Sequence, residues 1–259
     1  MLQVISALKG YDIQAKDGRL GTVSDVLFDD QNWKARWLIV DTGTWLTGRK
    51  VLIHPSAIGA VNFERRELTV ALTKKQVEES PDILQDRPVS RQMQNDLYGY
   101  YGWDPYWGGG MYGLYGAGMY GGGLAPVAGG RSESAARHAE HCEIDEQGGD
   151  PNLRSAAEVT GYHIHATDGG IGHVEDIIID SSGWGVRYLV VNTSNWWFGQ
   201  HVLIAANAVR EVDWAGRQVH LDVTREQVKT SPPLDTASMI NEDGEKRLHT
   251  HYGWPGYGW

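Results

Sequence analysis

The chain has 259 residues, 41% of them hydrophobic, and a formal net charge of −10. That length suits one large domain or two ordinary ones, and the apolar share gives each a core. Residues 1–97 are neutral overall and the negative charge lies beyond them; with no clustered Lys and Arg to neutralise phosphates, nucleic acid is excluded as an expected partner.

The start, Met1-Leu2-Gln3-Val4-Ile5, lacks the basic and long apolar regions of a secretory signal, and the single cysteine, Cys142, has no internal disulfide partner. The expected location is therefore the cytoplasm. No stretch approaches the roughly 18 to 20 consecutive apolar residues that span a bilayer, so a membrane is met peripherally if at all.

From Gly10 the chain repeats itself: Gly10 through Pro81 aligns without a gap with Gly161 through Pro232. Asp17-Gly18, Gly21, Val23, Asp25 and Asp29 recur as Asp168-Gly169, Gly172, Val174, Asp176 and Asp180. Trp33, Arg36, Leu38, Val40, Thr42, Trp45, Gly48 and Val51-Leu52-Ile53 recur as Trp184, Arg187, Leu189, Val191, Thr193, Trp196, Gly199 and Val202-Leu203-Ile204. Duplication of one folding unit explains the match.

Within a unit, Tyr11–Ala15 alternates outward Asp12 and Gln14 with inward Ile13 and Ala15, and Asp17-Gly18 supplies a tight hairpin turn. Further strands are predicted near Thr22–Asp29, Trp37–Thr42, Lys50–His54 and Leu68–Leu72. Short, evenly spaced strands without long helices between them predict a mainly β fold, a small barrel or sandwich. Thr73-Lys74-Lys75-Gln76 and Thr224-Arg225-Glu226-Gln227 have the form of a capping box, so a short helix begins there and stops before Pro81 and Pro232. Val89, Met93, Leu97 and Tyr101 recur at four-residue spacing and predict a second, amphipathic helix packed on the barrel. Its counterpart around Ile240–Leu248 is weaker, with Gly244 where Met93 would be.

The runs Gly21–Asp29, Arg36–Val40 and Trp45-Leu46 through Arg49–Pro55 resemble the PRC-barrel domain. That family is named for the cytoplasmic domain of the photosynthetic reaction centre H subunit and includes the C-terminal domain of the ribosome maturation factor RimM. The resemblance covers residues 6–85 and 157–236. It implies two tandem β-barrels of about six strands, each with a short C-terminal helix, that hold partners and carry no catalytic residues. The second unit departs from the first in having Ala205-Ala206 where His54-Pro55 stand. The expected domains are 1–97, a linker at 98–150, and 151–259 with an aromatic tail.

The linker holds a Tyr- and Gly-rich run with Trp103, Trp107, Met111 and Met119, then a charged stretch from Arg131 to Asp150. Its glycine density opposes a regular core, so it is expected to be disordered. The aromatics fit two readings: a sticky segment for self-association, a partner or a membrane interface, or rings that fold loosely on the barrels. The ending His251–Trp259 matches Tyr100–Gly108 in register, so the ancestral unit carried such a tail.

Chemistry-bearing side chains are few. His138, His141 and Cys142 offer metal-ligand types, but no second cluster completes a tetrahedral set, and no metal or cofactor is expected. His163 and His165 replace Asp12 and Gln14, which marks a solvated face. Asp25 and Asp176, with Arg36 and Arg187 on the next strand, are read as ion pairs or as carboxylates bonding backbone amides, not as catalytic groups. With Gly21 and Gly172 they form the structural motif. Trp45 with Leu46, and Trp196-Trp197-Phe198, occupy matching loops; they either anchor an interface or plug their own barrels. One expectation places Trp45 and Trp196 beside a contact between the units about a pseudo-twofold axis. The function expected is a non-catalytic binding or scaffolding protein with a protein partner or self-association, the alternative being a membrane-peripheral, photosynthesis-related protein that supports assembly or electron transfer.

Overall fold

The computed structural model describes residues 1–81, 89–106, 150–193, 201–232 and 242–256. They form two compact units, Met1–Lys74 with Asn152–Trp259, and Lys75–Pro151.

The larger unit is built from strands that recur at matching positions of the two repeats. In the first they are β1 (Leu2–Val4), β2 (Asp12–Ala15), β3 (Gly18–Asp29), β4 (Lys34–Asp41), β5 (Lys50–Ile53), β6 (Ile58–Asn62) and β7 (Glu67–Val70). In the second they are β8 (Leu153–Ser155), β9 (His163–Ala166), β10 (Gly169–Asp180), β11 (Gly185–Asn192), β12 (His201–Ala205), β13 (Val209–Asp213) and β14 (Gln218–Leu221). The mainly β fold with two repeated units stands as expected. β1 and β6, and their counterparts β8 and β13, are additions: three residues in one case and a largely exposed edge in the other leave little periodicity to read.

Each repeat pairs its strands identically. β2 pairs antiparallel with β3 and parallel with β7, β3 with β4, β4 with β5, and β6 with β7; β9 through β14 repeat the pattern. Ile13, Val26, Phe28, Trp37, Leu38, Ile53 and Leu68 are wholly buried in the first core. Ile164, Ile179, Tyr188, Leu189 and Ile204 are buried as completely in the second.

The two repeats exchange strands. β1 pairs with β10 of the second repeat, Leu2 opposite Asp180, and β8 pairs with β3 of the first, Asp29 opposite Leu153. The exchange is reciprocal. At its centre Ala35 N–H donates to Trp184 O and Val186 N–H to Trp33 O, each at 2.7 Å, and Lys34 faces Gly185 between β4 and β11. All fourteen strands thus join one sheet. Partners on the two sides occupy equivalent positions, so the repeats are related by a pseudo-twofold axis through the β3–β4 and β10–β11 turns.

The helices follow their caps. Thr224 forms the expected capping box with Gln227 at the start of Arg225–Lys229. Asp17 and Asp168 add a cap the sequence does not advertise, each accepting the first N–H of the helix that follows β7 or β14, from Lys74 at 2.8 Å and from Arg225 at 2.7 Å. In the smaller unit the helix Arg91–Tyr101 is capped by Ser90 and ends on Gly102 in the left-handed region. Its weaker counterpart in the larger unit forms as well, over Glu242–Tyr252, ending on left-handed Gly253. Of the linker expected at 98–150, residues 98–101 instead continue the helix Arg91–Tyr101, since its periodic positions run through Leu97 and Tyr101, and residues 107–149 lie outside the described residues.

Candidate interaction surfaces

The motif residues are engaged in holding the repeats together. A β-bulge between Val23 and Asp25 re-aims the carboxylate out of an apolar strand. Asp25 then accepts from Ala157 N–H at 3.2 Å and from the Ser155 hydroxyl. Asp176 does the same toward Ser6, accepting from its N–H at 3.2 Å and from its hydroxyl. Of the two readings of these aspartates, carboxylates bonding backbone amides is the observed one: each accepts from the next residue's N–H, Val26 or Ile177, and from an amide of the other repeat. Arg36 and Arg187 pair instead with Asp29 at 3.0 Å and Asp180 at 3.3 Å.

Asp29 and Asp180 organise the turns at the pseudo-twofold axis. Asp29 accepts from Gln31 and Asn32 N–H and from Arg36. Burial alone would raise its pKa, but the hydrogen bonds from Asn32, Arg36 and Gln31 hold it below the usual carboxylate range. Asp180, with burial likewise outweighed by bonds from Ser182 and the Met1 ammonium, is held at about 2.

Trp33 and Trp184 take up left-handed backbone in those turns, at φ of 51° and 56°. This is uncommon for a large side chain and places their carbonyls to accept across the axis. Trp33 stacks on Phe28 with ring centroids 5.7 Å apart. Among the described residues the contact between the repeats therefore centres on Trp33 and Trp184; of the pair expected beside it, Trp196 lies outside the described residues. The signal was in the sequence, since this tryptophan recurs in both copies. Trp45 is held on its own repeat: its indole N–H donates to Leu20 O, and the Lys74 ammonium lies 4.5 Å from its ring centroid. Leu46 beside it is half-buried. Trp196, Trp197 and Phe198 lie outside the described residues, as do Trp107 and the His138–Cys142 cluster.

The aromatic tails recur in structure. Trp103 stacks on Tyr101 at 4.2 Å, and its N–H donates to Tyr98 O; Trp254 stacks on Tyr252 at 4.1 Å, and its N–H donates to His249 O. Tyr100 donates its hydroxyl to Gln76 O, and His251 Nε2 lies 2.8 Å from Gln227 O, the equivalent carbonyl. Beneath the tails the copies diverge. The second has a chain of Glu245, Tyr188, His249 and Pro255 O, buried at Tyr188 and His249, with contacts of 2.7, 2.9 and 2.7 Å. In the smaller unit Gln94 and Tyr106 both donate to Asp150, at 2.7 and 3.0 Å. Beside the pseudo-twofold axis, a cleft of about 190 Å³ runs between the Asp30–Trp33 turn and β13. Trp214 closes it under the Arg154 guanidinium, 3.9 Å away. That volume is below what encloses a cofactor-sized ligand.

His54 titrates unusually. Burial first, then the positive charges of Arg36 and Lys34, push its pKa down to about 4. Its Nδ1 accepts the Ser56 N–H that starts the turn Pro55–Ala57, so protonation there would break the cap. The unfolded chain takes up this proton near pH 6.5 and the folded chain only near 4. Stability from His54 is therefore full above about 6.5 and falls as the pH drops toward 4, by roughly 3 kcal/mol. His54→Ala, the residue the second repeat carries at this place, is expected to remove that share of the acid sensitivity. Urea unfolding at pH 7 and pH 4.5 measures it; equal losses in both proteins would show that His54 contributes nothing to it.

No curated protein matches the chain. The family model of the PRC-barrel domain matches residues 4–77 and 152–228, more than half of the chain and both copies of the repeat. The two matches begin at the exchanged strands and end in the short helices after β7 and β14. The chain belongs to the PRC-barrel family, in two tandem copies.

Proposed function

We propose that this chain is a non-catalytic binding or scaffolding protein that holds a protein partner or a second copy of itself. The observation that carries the reading is the single sheet through both repeats. It fixes two equivalent surfaces about one pseudo-twofold axis, which is what a scaffold requires. The carboxylates that a catalytic reading would need support this: Asp25, Asp29, Asp176 and Asp180 are each spent on bonds that join strands or shape turns. Among the described residues no helix is long and apolar enough to cross a membrane. On this reading the protein works in the cytoplasm and meets a membrane only at its surface.

Affinity capture from the source cells after cross-linking tests the proposal, with the full chain and with a chain lacking residues 107–130. A partner that re-forms a stoichiometric complex from purified components supports it. Recovery of pigment–protein complexes would favour the photosynthesis-related alternative. Absence of any partner or self-association, together with substrate turnover by the purified chain, would overturn it.

A further inference from the structure

The second repeat carries histidines where the first carries none. β9 and β14 run parallel with His165 opposite His220, positions the sequence separates widely. Side chains of directly paired residues stand on one face of a sheet, and here the two rings lie with centroids 5.5 Å apart and planes inclined by 33°. A tetrahedral ion with metal–nitrogen bonds of about 2.0–2.1 Å holds two imidazole centroids roughly 5 Å apart. The pair is thus already near chelating separation. Gly170, opposite His165 on β10, leaves the approach without a side chain; Arg19, at its place in the first repeat, would bring a cation there. His163 precedes His165 by two residues on the same face and is exposed.

We infer that His165 and His220 bind a divalent transition-metal ion of the zinc, nickel and copper class, clipping β9 to β14. Imidazole is the preferred protein ligand for these ions, and harder cations such as magnesium and calcium call for oxygen donors. Among the described residues no three His, Cys, Asp or Glu side chains are grouped to hold a metal ion. The pair therefore supplies two ligands, water or a reoriented His163 supplies the rest, and the affinity falls in the micromolar range, not that of a closed structural site. The first repeat has Gln14 and Thr69 at these positions and no such site.

Calorimetric titration of the full chain with zinc chloride and with nickel chloride at pH 7.5 tests the inference. His165→Gln with His220→Thr introduces the residues of the first repeat at the same two strand positions. That variant is expected to lose one bound equivalent of each ion while its metal-free unfolding curve stays unchanged. Copper added below one equivalent should broaden the imidazole resonances of His165 and His220 together in the unsubstituted chain. Unchanged stoichiometry in the variant, or resonances of the pair that do not respond, overturns the site. Should the double variant fold poorly, His220→Thr alone serves, with at least a ten-fold loss of affinity expected.

Discussion

A chain cut between residues 107 and 149 is expected to remain a one-to-one pair of halves at about 1 µM and to separate only in denaturant. Each half contributes a strand to the other's sheet, and the helices behind those strands go with them. Ile5 and Leu8 of the helix Ile5–Leu8, which lies on β10 and β3, are 2% exposed, and so is Val159 of the helix Ala156–Val159. Burying such side chains is worth roughly 1.5–3 kcal/mol each. To these add the carboxylate bonds of Asp25 and Asp176, the Arg154–Asp30 pair at 3.2 Å, and the paired carbonyls of Trp33 and Trp184. Bonds to charged groups contribute about 1.5–3 kcal/mol apiece. Together these amount to roughly 10–20 kcal/mol, the size of the roughly 8 kcal/mol that a micromolar dissociation constant requires plus an association cost of several kcal/mol. A protease site introduced within 107–149, cleavage, and size-exclusion chromatography give the readout. Halves that elute apart in native buffer would show that the exchange does not hold the molecule together.

Much of a single repeat is legible in the sequence, because hairpin glycines, alternation and the capping box act over a few residues. Asp17-Gly18 turns where expected, and the strand at Lys50–Ile53 begins where its reading began. The exchange is a different kind of choice. Because the two copies share one pattern, β1 would find the same register on β3 that it takes on β10, and no local signal distinguishes them. The partners of Asp25 and Asp176 were hidden for the same reason: the donors, Ser6 and Ala157, stand in short helices of the other repeat. Even the hydroxyls that cap these carboxylates come from non-equivalent positions, Ser6 and Ser155, so the repeat itself does not point to them. Trp45 had two readings open, and only its donation to Leu20 O and the nearby Lys74 ammonium show that it is held on its own barrel. The His165–His220 pair needs the parallel β9–β14 register, which no sequence periodicity reports.

Replacing Gly21 or Gly172 by alanine is expected to cost about 4 kcal/mol and to unfold the whole fourteen-stranded unit in one step. Gly21 sits where β3 bulges against β2, at φ of 159°; a Cβ built there would lie 2.0 Å from Asp41 O and 2.8 Å from Thr42 Cα. At Gly172, with φ of 145°, it would lie 2.0 Å from Asn192 O. The obstructing atoms are backbone of the neighbouring strand, so no side chain can swing aside; β3 must move away from β4, or β10 from β11. Overpacking costs about 1–3 kcal/mol and the unfavourable backbone conformation a similar amount, against a stability of roughly 5–15 kcal/mol for a typical domain. Gly48 provides the control: its φ is 75°, but a Cβ there meets nothing within 4 Å, so Gly48→Ala carries only the conformational share, about 1 kcal/mol. The exchanged strands decide the form of the transition. Loosening β3 removes the seat of β8, and loosening β10 removes that of β1, so damage in one repeat is passed to the other. Urea unfolding followed by tryptophan fluorescence and circular dichroism should therefore give one coincident transition for either variant, shifted to lower denaturant. A Gly21→Ala protein within 1 kcal/mol of the parent would reject the steric account. Two separated transitions, one per repeat, would reject the coupling through exchanged strands while leaving the steric account standing.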